Sequence, residues 1–183
     1  MVSRQQNWLH CFATSAIVAV LTLTSAGSAF AQENNNDSSA VADVIKGVVF
    51  DPTTYAPALI SYDATMRDWN TSQPFFQNGY YERNSRFTLT GLSNDRPVSY
   101  LVGRNQILKD TLTTLGVSAM QNATSRIVEQ ALMAKYPNHR KVVKTIGWIQ
   151  RIALASVMTY QLSSPHYRQA GINAQQAREL GFR

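Results

Sequence analysis

The sequence predicts a mainly α fold, a compact bundle of four or five helices with one irregular aromatic-rich insertion over residues 70–96. Three observations lead to this prediction. Apolar residues recur at intervals of three and four along much of the chain, which is the period of one helix face. Single prolines and glycines separate these runs in the manner of helix ends. The insertion lacks this period and carries paired aromatic residues instead, so a small β-hairpin is the alternative there.

The N-terminus, residues 1–31, has the pattern of a signal peptide. Arg4 precedes an apolar stretch that ends in small residues, and Ala31 completes an A-x-A cleavage site before Gln32. We therefore expect cleavage between Ala31 and Gln32 and a mature chain in the periplasm or outside the cell. The alternative is an N-terminal anchor in the inner membrane, because no charged residue lies between Arg4 and Glu33.

Cysteine usage indicates the compartment. Cys11 is the single cysteine of the chain and lies in the leader, so the mature chain can form no disulfide, thiolate metal site or cysteine nucleophile. An exported domain without disulfides is ordinary in a bacterial envelope, so we expect a bacterial source. The 152 residues that remain after cleavage are enough for one domain with a core.

Charge is unevenly distributed along the mature chain. Residues 32–95 contain four basic and eight acidic residues, whereas residues 96–183 contain twelve basic and three acidic residues. The C-terminal half therefore meets an anionic partner, attracts the N-terminal half, or simply presents a solvated basic face.

We expect the elements in the following order. A disordered polar spacer over 32–43 precedes a single helical domain over 44–183. The first clear helix is predicted from Pro57 to Trp69, because Pro57 should break a helix that began at Asp51-Pro52. After the insertion, helical character starts at Pro97 and stops at Tyr136-Pro137. Later helices are predicted from Asn138 to about Ser163, from Ser164 to Gly171 and from Asn173 to Gly181.

The aromatic insertion is a candidate recognition loop. An Asn-Gly dipeptide at 78–79 lies between the pairs Phe75, Phe76 and Tyr80, Tyr81, which is a strong hairpin signal. Long irregular segments are often functional. The alternative is structural, with these aromatic side chains filling the helical core.

Arg140, Lys144 and Arg151 form a candidate anion-binding face. Their spacing places them on one side of the helix predicted from Asn138. Such a face could bind phosphate, an anionic lipid head group or an acidic envelope polymer, and the alternative is a solvated or internally paired surface. Because the chain has no nucleic-acid-binding motif, we expect no nucleic acid partner.

No motif of a named chemistry occurs in the mature chain. Asp63 and Asp68 could share acid and base roles, but Asp63 and Arg67 also have the spacing of a surface ion pair. The two histidines of the mature chain, His139 and His166, do not have zinc-ligand spacing, so we expect neither a metal nor a cofactor.

Three hypotheses about function remain. The first is a non-enzymatic exported protein that binds an anionic envelope component or another envelope protein. The second is a small hydrolase or lyase, for example with Asp63, Asp68 and His139 converging in one pocket. The third is a carrier that encloses an apolar ligand between helices. No membrane span is expected after cleavage, because the most apolar helix contains Lys144 and Arg151.

Overall fold

The structure is a computed structural model that describes residues 37–182. The proposed signal peptide and its cleavage site at Ala31 and Gln32 lie outside the described residues. The mainly α prediction is confirmed, since 82% of the structure is helix and the described residues form no sheet.

The described residues contain one shorter helix and three long ones. Helix α1 is Asp37–Val49, and α2 is Pro52–Gln77 with 26 residues. Helix α3 is Tyr100–Lys135 with 36 residues, and α4 is Arg140–Glu179 with 40 residues. Short 3₁₀ turns occur at Ser85–Phe87 and Pro137–His139. None of the helices in this part of the chain has the length and apolar character that a membrane span requires.

The predicted set of four or five helices is not confirmed, because the three helices predicted after Asn138 are one continuous element and α1 begins where a spacer was predicted. Pro165 lies inside α4, where its missing N–H frees only the carbonyl of Gln161. Both residues are exposed, so water can bind that carbonyl. Gly171 also lies inside α4, with open space on its side-chain side.

Helix α2 begins earlier than predicted because its N-terminus is stabilised from outside the helix. Asp51 is the N-cap and accepts a hydrogen bond from the N–H of Thr53 at 3.0 Å. Pro57 cannot donate to the carbonyl of Thr53 one turn earlier. The hydroxyl of Ser118 donates to that carbonyl instead, at 3.1 Å. The missing intrahelical bond is thereby replaced, and the helix continues through Pro57.

The chain divides into two compact units. The first unit comprises the chain up to Phe50 together with Met120–Gly147, and the second comprises Asp51–Ala119 together with Trp148–Arg183. Long helices α3 and α4 each contribute residues to both units. That residues 44–183 form a single domain stays a prediction.

The first unit contains α1 and the C-terminal part of α3. Within it, Gly47 of α1 lies directly against the guanidinium group of Arg126, so a side chain at that glycine would displace this group. Because α1 begins at Asp37, residues 37–43 are helical in the structure, where the sequence predicted a disordered spacer.

The second unit holds a buried hydrophobic cluster. Trp69, Phe87 and Ile107 form its centre, with Tyr62, Met66, Phe76 and Val98 packed against it. The indole N–H of Trp69 donates to the carbonyl of Tyr100 at 3.3 Å. Gly103 of α3 touches the Trp69 ring, so the absence of a side chain at Gly103 allows α3 to approach α2 closely.

The buried face of α3 is not formed by its large apolar residues. Leu101, Leu108 and Leu112 are exposed, whereas Gly103 and Ile107 are buried. Small residues allow close helix approach, so a stripe of large apolar residues did not identify the packed face.

The insertion does not contain the predicted hairpin at 78–79. Phe75 and Phe76 belong to the last turn of α2, and Asn78 is its C-cap. Gly79 follows with a positive φ of 84°, and Tyr80 donates its N–H to the carbonyl of Phe75 at 3.1 Å. The Asn-Gly pair therefore ends a helix in this structure.

Candidate functional site

A pocket of about 600 Å³ lies in the second unit. Its lining residues come from the second half of α2, from the segment that follows α2 and from the C-terminal part of α4. Asp68, Glu82, His166 and Asn173 are among them, and we call these four residues the polar centre.

Asp68 is held by two side chains of α4. Its Oδ2 lies 2.8 Å from Nδ1 of His166, and its Oδ1 accepts a hydrogen bond from Nδ2 of Asn173 at 3.2 Å. The same Asn173 amide also donates to the hydroxyl of Ser72 at 3.0 Å, and its carbonyl oxygen accepts from Gln169 at 2.8 Å. Five side chains therefore fix one another, which limits the conformations that the polar centre can adopt.

Helical spacing explains why these residues meet. Asp68 and Ser72 are four apart on α2, and His166, Gln169 and Asn173 are spaced three and four on α4. Residues with this spacing share one helix face. The continuity of α4 through Pro165 and Gly171 is therefore what places Asn173 beside Asp68.

His166 presents one ring nitrogen to the pocket. A carboxylate at Nδ1 requires that nitrogen to carry the proton, so the neutral ring has its lone pair on Nε2. Among the described residues, Nε2 of His166 has no hydrogen-bond partner. Because the side chain is one-third exposed and lines the pocket, Nε2 is available to a ligand or water.

Glu82 supplies a second carboxylate to the polar centre. Its backbone exchanges hydrogen bonds with that of Asp95, at 2.8 and 3.2 Å, and its Oε1 accepts the N–H of Asn84 at 2.7 Å. Burial raises the pKa of Glu82 above its ordinary value, the backbone N–H groups of Asn84 and Arg83 oppose that change, and the charge of Asp68 raises the pKa further.

The four predicted recognition residues all line this pocket. Phe75 and Phe76 reach it from the end of α2, and Tyr80 and Tyr81 from the turn that follows. The ring centroids of Phe75 and Tyr80 are 5.6 Å apart in an edge-to-face arrangement, and Phe182 packs against both rings. The structure thus joins the aromatic residues to a polar centre that the sequence did not reveal.

The predicted anion-binding face does not present three exposed cations in the structure. Arg140 and Lys144 are exposed, but Arg151 is buried and its Nε donates to Oδ2 of Asp51 at 3.1 Å. Asp51 lies a hundred residues before Arg151 in sequence, so the helix pattern alone could not show that the charge of Arg151 is neutralised inside the protein.

Of the predicted catalytic trio, only Asp68 lines this pocket. Asp63 does not, and His139 is an exposed residue of the first unit. Asp63 instead accepts hydrogen bonds from Arg67 at 2.8 Å and from Tyr167 at 2.7 Å. The Tyr167 hydrogen bond and then Arg67 lower the pKa of Asp63, and the same hydrogen bond raises the pKa of Tyr167. The ion pair that the spacing predicts is therefore present at the surface.

Sequence reasoning missed Glu82, His166 and Asn173 as site residues. Asn173 has the local context of a helix N-cap, and Glu82 lies in a segment without regular period. His166 and Asn173 are seven residues apart, which is two turns of a helix. This spacing is the sequence signal that could have placed both on one helix face.

Among residues 37–182, no group of three or more His, Cys, Asp or Glu side chains is arranged to hold a metal ion. In comparisons with known proteins, no family model, curated protein or solved structure matches the chain.

Proposed function

We propose that this is an exported, non-enzymatic binding protein whose pocket in the second unit takes a small organic ligand. The observation that carries the proposal is the convergence of a fixed polar centre and several aromatic side chains on one pocket. Export is supported by the leader pattern before Gln32.

The pocket has the properties of a small-molecule site. Its volume lies within the range of about 300–1,000 Å³ that is common for such sites, in which aromatic walls provide contact area and a few polar groups orient the ligand. Asp68 and His166 are already positioned by their neighbours, so less conformational entropy is lost on binding. A purely apolar ligand is disfavoured, because it would desolvate Asp68 and Glu82 without compensating hydrogen bonds.

A ligand screen tests this proposal. The mature protein would be screened against a library of small organic compounds by the shift in its unfolding midpoint, because a ligand that binds the native state stabilises it. Compounds that raise the midpoint should lose most of that effect in Tyr81→Ala, which removes an exposed aromatic wall of the pocket.

Tyr160→Ala is the matched control, since Tyr160 is also an exposed tyrosine of the second unit but does not line the pocket. Its ligand response should equal that of the wild type. A complete screen without a stabilising compound, or compounds whose effect survives Tyr81→Ala, would refute the proposal.

An acid–base enzyme is the second candidate, and the Asp68–His166 pair favours it. A carboxylate that orients an imidazole and leaves its other nitrogen toward a pocket is the arrangement of a general base. Under this candidate, hydrolysis of 4-nitrophenyl acetate would fall strongly in His166→Gln and stay unchanged in His139→Gln. Equal rates in the two variants would exclude a hydrolytic role for His166 toward this ester.

A further inference from the structure

We infer that the ligand of the pocket is an organic cation, a protonated amine with an apolar or aromatic body. Its charge would lie between the carboxylates of Glu82 and Asp68, and its body would pack against the aromatic walls. This inference rests on the proposed binding function and adds the chemical class of the ligand.

The balance of charge in the pocket supports a cation. Glu82 and Asp68 are its two carboxylates, and Arg83 is its one permanent cation. In the described part of the chain, Arg83 is exposed and forms no ion pair with either carboxylate, while His166 is engaged by Asp68. Glu82 accepts hydrogen bonds from backbone groups, but no basic side chain there neutralises its charge.

The aromatic side chains favour the same class of ligand. Tyr80, Tyr81, Phe75 and Trp69 line the pocket together with the carboxylates. The face of an aromatic ring carries negative partial charge and attracts ammonium groups, most strongly where water is excluded. An anion would instead meet two like charges, and a neutral alcohol could donate to a carboxylate but would lack the Coulombic attraction of a full positive charge.

Binding of a cation should be linked to the protonation of Glu82. The carboxyl of Glu82 has a raised pKa, and a bound ammonium group would favour its ionised form. Affinity for the amine should therefore increase as the pH rises through the pKa of Glu82. At a pH below that pKa, binding of the amine should release a proton from Glu82. The charged and titratable groups around Glu82 are Asp68 on α2, His166 on α4, and Tyr80, Tyr81, Arg83 and Asp95 on the intervening segment.

Three fluorinated probes of similar size and different charge test the inference: 4-fluorobenzylamine, 4-fluorobenzyl alcohol and 4-fluorobenzoate. Their dissociation constants for the mature protein would be measured at pH 7 by ¹⁹F NMR titration. We expect the amine to bind about tenfold more tightly than the alcohol, because only the amine carries a full positive charge opposite the carboxylates, and the benzoate to bind most weakly.

Glu82→Gln should reduce the preference for the amine to less than about threefold, because the amide keeps a similar shape but removes the charge. Glu179→Gln is the matched control, since Glu179 is an exposed glutamate of the same unit outside the pocket, and it should keep the wild-type preference. The preference should also shrink at pH 4 in the wild type but not in Glu82→Gln.

Each outcome is informative. If the alcohol binds as tightly as the amine, or if Glu82→Gln keeps the full preference, the inference is wrong while the pocket remains a ligand site. Failure of the amine to bind also overturns the inference. The proposed function fails separately, when the compound screen finds no ligand whose effect Tyr81→Ala removes.

Discussion

Two acid–base pairs connect α2 to α4 within the second unit, and they differ chiefly in burial. The first pair is Asp51–Arg151, with 5% of each side chain exposed and 3.1 Å between Oδ2 and Nε. The second pair is Asp68–His166, with 19% and 33% exposed and 2.8 Å between Oδ2 and Nδ1. Similar chemistry therefore serves two purposes: the buried pair anchors the start of α2, and the accessible pair belongs to the pocket.

The anchoring role of the first pair follows from the contacts of Asp51. Its Oδ1 accepts hydrogen bonds from the N–H and the hydroxyl of Thr53, and its Oδ2 accepts from Arg151. A carboxylate that caps a helix and pairs with a buried guanidinium fixes both elements, and removal of one partner leaves a charge in a poorly solvated environment.

Arg151→Ala should have the largest effect on stability. Loss of the guanidinium removes a buried, charged partner of the Asp51 carboxylate, which we expect to lower the free energy of unfolding by about 3–5 kcal/mol. Urea unfolding followed by circular dichroism measures this change. Arg67→Ala, which removes the exposed partner of Asp63, is the control and should cost far less, because water already solvates both groups. An equal loss of stability in the two variants would show that burial does not make the Asp51–Arg151 pair more important than the Asp63–Arg67 pair.

Gly103→Ala should have the next largest effect on stability. It tests the close packing of α3 on Trp69, whose ring lines the pocket. A methyl group at Gly103 collides with the ring of Trp69, and such overpacking costs about 1–3 kcal/mol, only partly offset by better helix propensity. Gly116→Ala has free space around it and should stabilise α3 by up to about 1 kcal/mol. Chemical denaturation of both variants is the measurement, and a stabilised Gly103→Ala would contradict the packing described.

His166→Ala should cost less than Arg151→Ala, about 1–2 kcal/mol. Asp68 keeps its hydrogen bond from Asn173 and remains partly solvated, so only one partly exposed charge-assisted bond is lost. Urea unfolding of the two variants side by side gives the comparison directly. A cost for His166→Ala that equals that of Arg151→Ala would make the second pair an anchor as well.

Glu82→Gln should change the pH dependence of stability rather than lower stability overall. Because the pKa of Glu82 is raised in the folded protein, its contribution to stability is present below the unfolded pKa and is lost as the pH rises through the folded value. The variant should therefore gain stability relative to the wild type between pH 4 and pH 7. Urea unfolding of both proteins at pH 4 and pH 7 measures this difference. A variant that loses stability relative to the wild type as the pH rises would contradict the burial of Glu82.

The fold class was predictable because helical periodicity is local, whereas helix boundaries depended on distant contacts. Pro57 should break a helix, but Ser118 supplies the hydrogen bond that Pro57 cannot donate, from a residue 65 positions after the accepting Thr53. The Asn-Gly pair at 78–79 is compatible with either a hairpin or a helix end, and in the structure its backbone N–H groups donate to the carbonyls of Phe75 and Phe76 and end the helix.

The candidate site was predictable only where its residues form a local sequence pattern. The aromatic residues Phe75, Phe76, Tyr80 and Tyr81 are distinctive in sequence, and they line the pocket. Their polar partners were not predicted, because Asn173 resembles a helix cap locally and reaches Asp68 across 105 residues. Arg151 was misassigned to a surface face since its partner, Asp51, is equally remote.

The most direct test of the central claim uses the two histidines of the chain after Gln32 as internal reporters. Imidazole ¹⁵N signals of the mature protein would be recorded during titration with 4-fluorobenzylamine. The polar centre predicts that His166 starts with its proton on Nδ1 and that its signals move with the probe, while those of His139 in the first unit stay fixed. Movement of His139 alone, or binding that leaves His166 unchanged, would contradict the assignment of the pocket as the ligand site.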